Sequence, residues 1–132
     1  MLVLVARILF VPIFLASGLG HLRATDMLTG YAASKGIPSP RLAVLVSGVV
    51  IVVGGLSVLL GVYPDLGALL LAAYLVPTAF LMHAFWKEPD PMAQVNERTQ
   101  FLKDLSMAGG AIVLLVLAWA GEFGPSLTGN LF

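Results

Sequence analysis

The side chains best able to do chemistry in this sequence are His21, His83, Lys103 and Asp104, and each stands at the edge of a long apolar run. The stretch "FLMHAFWKEP" (residues 80–89) shows the pattern: an apolar segment, a histidine, two aromatics, then Lys-Glu-Pro. Imidazole and carboxylate have short stems and cannot reach far toward water, so at a membrane boundary they need a partner or a ligand. Two histidines raise the possibility of a bis-histidine haem, yet both stand near helix ends and nothing else marks a porphyrin slot. A metal site with Asp104 lacks any close ligand spacing such as His-x-x-x-His. No nucleophile–base pair, carboxylate pair or phosphate loop is present, so catalysis by this chain alone is not expected. What remains is a candidate ligand-binding cluster of His21, His83, Lys103 and Asp104, with Gln100 beside it.

The elements that must position this cluster are membrane helices. The 132 residues are 59% hydrophobic and 11% charged, with mean hydropathy +0.99, whereas soluble domains carry about 25% charged residues. A bilayer core of about 30 Å needs about 20 apolar residues in a helix. Four segments qualify, at about residues 2–22, 41–62, 66–86 and 101–121. Together they predict an all-α, four-transmembrane-helix bundle with up-down topology, forming a single domain over residues 1–132. "KGIPSPR", "YPDLG" and "KEPDPMAQVNERTQ" separate the helices with Pro, Gly and polar residues, and "GEFGPSLTGNLF" reads as a short irregular tail. The first apolar run is longer than a signal-peptide core and no basic cluster precedes it, so we expect it to be retained. There is no cysteine and the net charge is zero, which excludes thiol redox chemistry and gives no reason to expect a nucleic-acid partner.

Loops 23–40 and 87–100 hold more Lys and Arg than the opposite side. They are expected to be cytoplasmic and both termini outside, in a multi-pass bacterial inner-membrane protein. Alternation then brings His21, Arg41, His83, Lys103 and Asp104 to one boundary. Arg41 and Trp86 read as interfacial residues, and so does Arg7 at the other boundary, paired with Glu122, Asp65 or lipid phosphate. Small residues supply helix-packing faces: Ala16 with Gly20, Ala43 with Ser47, Ala68 with Ala72, and Ser106 with Gly110, plus Gly48, Gly54 and Gly55. A homo-oligomer seam built from the same residues is equally compatible. Pro77 should kink the third helix, with room for a pocket beside it. "YAASKGIPSPR" should be ordered, because its prolines lower the entropy of holding it. His83 is expected to face the bundle interior near Asp104 or Lys103, sharing a face with Ala79, Val76 and Ala72, while Tyr74 faces elsewhere.

"RILFVPIFLASGLGHL", "YAASKGIPSP", "GGLSVLLGVYPDLGALLLA", "FLMHAFW" and "QFLKDLSMAGGAIVLL" together resemble the DoxX family over nearly the whole chain. The resemblance implies a four-helix integral membrane fold in bacteria and a loose link to membrane oxidoreductases. One branch is named as a subunit of a thiosulfate:quinone oxidoreductase, and others are tied to oxidative-stress systems. The family's shared polar points fall on Arg7, His21, His83, Gln100, Lys103 and Asp104, and its glycine points on Gly18, Gly36, Gly55, Gly61 and Gly110. Relatives often have Lys at His21 and Asn at Asp104, and many carry a glutamate in the second helix, where Ser47 to Leu60 has no charge. The expected function is an accessory subunit of a quinone-linked or other redox membrane system. It would have no intrinsic cofactor, quinone or lipid as ligand, and the bilayer and other membrane subunits as partners. The alternative is a structural or assembly subunit without ligand chemistry.

Overall fold

The computed structural model describes residues 1–132. Its helices are α1 (Leu2–Phe10), α2 (Pro12–Arg23), α3 (Thr25–Ser34), α4 (Pro40–Leu60), α5 (Pro64–Met82) and α6 (Pro91–Trp119), with a 3-10 turn at Phe85–Lys87 and no strand. Four spans are long and apolar enough to cross a membrane: α1 with α2, α4, α5 with the 3-10 turn, and α6. This is the all-α, four-span bundle that the apolar runs imply. α4 packs on both α2 and α5, and α5 packs on α6.

Proline accounts for several boundaries. Pro12 has no N–H to donate and splits the first span at Val11, whose backbone nevertheless stays helical. Pro40, Pro64 and Pro91 each open a helix, where the missing donor costs nothing. Asp90 caps α6 by accepting from the Ala93 N–H at 2.8 Å. The fourth helix therefore begins nearly three turns before the expected residue 101, and residues 91–100 are helical rather than loop. Most of the other polar connection, residues 25–34, is also helical and forms α3.

Burying apolar area gives no advantage in lipid, so close approach of backbones must hold the bundle. At the α2–α4 crossing a Cβ on Gly18 would stand 2.6 Å from Val52, and one on Gly48 only 2.9 Å from the His21 Cβ. Gly48 thus lets His21 lie directly against α4. Not every small residue is used this way. Ala16 and Ser106 stay exposed, and a Cβ on Gly20 would meet nothing within 4 Å.

The end opposite the histidines is closed by two buried charges. Arg7 is not interfacial, and it pairs with neither Glu122 nor Asp65: it is 0% exposed. Its guanidinium donates to the carbonyls of Val58 (2.8 Å), Leu59 (2.6 Å), Phe123 (3.2 Å) and Pro125 (2.6 Å) and lies 4.4 Å from the centre of the Phe123 ring. Two of those carbonyls belong to the last turn of α4, which has no intrahelical donors left and carries the negative end of the helix dipole. Asp65, also fully buried, accepts the backbone N–H groups of Leu131 and Phe132. The segment after α6 is irregular, as its composition implies, but it is tied to the bundle at both ends.

Replacing Arg7 by Met should leave four carbonyls without donors and cost about 3 kcal/mol or more, judged from hydrogen bonds to charged groups. Arg7→Lys should rescue only part, because an ammonium cannot reproduce the planar fork. Reversible unfolding in mixed micelles measures both changes.

Candidate functional site

A cavity of about 470 Å³ opens at the histidine end between α2, α3, α4, α5 and α6. Most of its wall is apolar, with Phe14, Ile51 and Leu75 among the lining residues, and Pro77 forms part of it. Its polar lining comes from Ser17, His21, Tyr31, Ser47, Tyr74, Thr78, His83, Lys103 and Asp104.

His21 and His83 have different surroundings. His21 Nδ1 stands 2.9 Å from Ser47 Oγ, and the Ser47 hydroxyl donates back to the Val44 carbonyl at 3.0 Å. His83 Nδ1 contacts Glu97 Oε2 at 2.6 Å, and its Nε2 lies 3.6 Å from Asp104 Oδ2. Glu97 is the junction of the cluster. Its other oxygen accepts from the Tyr31 hydroxyl at 2.8 Å and from Lys35 Nζ at 3.3 Å, and Lys35 also reaches Glu88 at 2.7 Å. On the far side of Asp104, Lys103 Nζ stands 3.5 Å away and donates to Gln100. Three carboxylates, Glu88, Glu97 and Asp104, thus face two ammonium groups, with the His83 ring set between two of the carboxylates.

These contacts fix α3 over the cavity mouth. Tyr31 and Ala32 line the cavity, while Tyr31 and Lys35 hold the carboxylate ladder below. Burial and then the Glu97 carboxylate push the Tyr31 phenol well above its ordinary range, so it stays a proton donor. For Lys35, burial alone would lower the ammonium. Hydrogen bonds and charge from Glu88 and Glu97 outweigh it and hold the group above its ordinary 10.5.

Four of the residues singled out in the sequence, His21, His83, Lys103 and Asp104, line the cavity. Gln100 touches the cluster only through Lys103. Arg41 is exposed and pairs with Asp26, outside the cavity. Trp86 is half exposed in an aromatic group with Phe80, Phe85 and Phe101. Two face assignments fail. Val76 is 39% exposed, and Tyr74 shares the cavity wall with His83. Helical counting does not extend to His83, because α5 ends at Met82 and His83 itself has φ −115° and ψ 40°.

Glu97, Tyr31 and Lys35 are the residues that the sequence reading misses. A signal for Glu97 exists: Asp-Pro at 90–91 is a helix start, and from there Glu97 and Asp104 fall two turns apart on one face.

The DoxX family model matches residues 2–84, through the first three spans and His83. Inner membrane protein YphA of Escherichia coli (strain K12) is 31% identical over 115 residues, which are 87% of this chain and 81% of that protein. Inner membrane protein YqjF of the same organism is 32% identical over 117 residues, covering 86% and 82%. No solved structure matches the chain.

Glu97→Gln should loosen α3 without unfolding the bundle. Amide exchange across residues 25–34 should speed up by about ten-fold, the effect of losing roughly 1.4 kcal/mol of charge-assisted bonding, while α4 is unchanged. The raised Lys35 value sets a second expectation. Its tether contributes stability in full below about pH 10.5 and loses it as pH rises further, through the folded value. A spin label on a cysteine at Met27, exposed on α3, should therefore gain mobility only above that pH.

Proposed function

The chain belongs to the DoxX family of integral membrane proteins, and on that footing we propose that it is an accessory subunit of a redox system in the bacterial inner membrane. Its cavity would hold the head group of a quinone or a similar amphipathic ring compound. The observation that carries this reading is the cavity itself: about 470 Å³, apolar for most of its wall, with hydrogen-bonding side chains gathered at the membrane boundary. A head group there finds donors and acceptors while its tail stays in apolar surroundings. The chain has no cysteine, and in this reading it binds and orients the ring while a partner subunit carries the electrons. With the Lys- and Arg-bearing connections on the cytoplasmic side, the cavity opens toward the cytoplasm.

An assembly subunit without ligand chemistry is the second reading. It draws support from the small surface at Ala16 and Gly20, which no element of this chain covers.

The two readings separate in one experiment. The protein is reconstituted in nanodiscs with an isoprenoid quinone, freed of excess ligand, and analysed by mass spectrometry. Ligand binding predicts about one retained quinone per chain. Ala73→Trp, which fills the cavity from its wall, should weaken retention about ten-fold or more, equivalent to 1.4 kcal/mol, with helix content intact. Equal, low retention by both proteins would overturn the proposal and leave the assembly role.

A further inference from the structure

The hydrogen-bond chain behind His21 fixes more than the ring's position. The Ser47 hydroxyl has one hydrogen, and the Val44 carbonyl, which can only accept, takes it at 3.0 Å. Back-bonding of this kind to the preceding turn is a common arrangement for serine in membrane helices. With its hydrogen on the Val44 carbonyl, Ser47 Oγ is an acceptor toward His21 Nδ1 at 2.9 Å, an arrangement that places the imidazole proton on Nδ1. The tautomer is assigned from this chain of bonds. It leaves Nε2 as a bare acceptor.

Nothing in the protein satisfies that acceptor. The partners of the His21 ring are the Ser47 hydroxyl at Nδ1 and the neighbouring Val44 carbonyl, and its second nitrogen is not sealed in: the one fully buried, unpartnered side-chain polar atom is Thr29 Oγ1. His21 is among the residues that line the cavity, and Tyr74, on the same wall, stands edge-on to its ring at 6.4 Å between centres. No carboxylate pairs with His21, in contrast to His83 between Glu97 and Asp104.

We propose that His21 is a specificity-determining residue that selects a hydroxyl-bearing head group, so that the cavity prefers the hydroquinone form of its ligand to the quinone. A ring hydroxyl donates to Nε2. A quinone carbonyl has no hydrogen to give and would set two acceptors against each other within the cavity. The inference rests on the cavity being the site of a quinone-type ligand, and it adds which redox form is held. No electron is transferred in this step; binding alone discriminates.

The test measures affinity for a short-tailed benzoquinone and its hydroquinone with the full chain in nanodiscs, without oxygen. The expected result is that the hydroquinone binds about ten-fold or more tightly than the quinone. His21→Phe, which keeps a ring against Gly48 but has no acceptor, should bring the two within about two-fold by weakening the hydroquinone only. Ser47→Ala provides a second handle that spares the ring: it frees Nδ1 from its fixed role and should also narrow the preference. Tighter quinone binding, or equal binding of both forms by the unaltered protein, would overturn the selectivity while leaving the ligand site in place. Failure of both compounds to bind would remove the ligand site and the selectivity with it.

Discussion

Lipid offers no hydrogen-bond partner to any polar group, and nearly every specific feature of this chain follows from that constraint. Over the length of each span the backbone satisfies itself as helix, and the side chains are apolar or small. At the two ends the helices stop, and the groups left over are closed in opposite ways. At one end a buried cation, Arg7, gathers surplus carbonyls, and a buried anion, Asp65, gathers surplus amides. Backbone meets side chain there. At the other end side chain meets side chain, from Glu88 through Lys35, Glu97 and His83 to Asp104 and Lys103. The helices need not meet closely where long side chains span the gap, and the cavity occupies that space.

Small residues connect the two ends. Without Gly18 and Gly48, α2 and α4 could not approach closely enough for His21 to reach Ser47. α3 is too short and too polar to span the membrane; it is held by packing on α4 and by the polar ladder to Glu88 and Glu97. The site therefore depends on contacts made by five helices and belongs to no single motif. His83 and His21, which look equivalent in the sequence, have different surroundings: one is set between carboxylates, the other lies against the Ser47 hydroxyl on the cavity wall.

Much of the architecture was legible because the membrane imposes it. Length and hydropathy alone give four spans, and alternation alone brings His21, His83, Lys103 and Asp104 to one boundary. Local signals gave less. Proline was read as a loop marker around residues 89–91, although Asp90 followed by Pro91 is also a helix start, and missing that hid Glu97. Arg7 was assigned to the interface by the general behaviour of arginine near helix ends. What reverses that assignment is the return of the segment after α6, a long-range contact no local pattern announces. Tyr74 was misplaced because counting at 3.6 residues per turn ran past the end of α5. The cluster was thus readable as a location, whereas its central junction and its partners required the tertiary structure.

Whether the space under α3 binds an amphipathic ring compound is decided by photolabelling. A tailed quinone carrying an azido group is incorporated into membranes holding the full chain, irradiated, and the labelled residues are mapped by peptide mass spectrometry. Binding in the cavity should place label on its wall, at Ser17 and His21 of α2, Ala43 and Ser47 of α4, and Ala73 and Tyr74 of α5, with loss of label when excess unlabelled quinone is present. Label spread over lipid-exposed α4 residues such as Leu42, Val46, Val49 and Val53, undiminished by competitor, would contradict it.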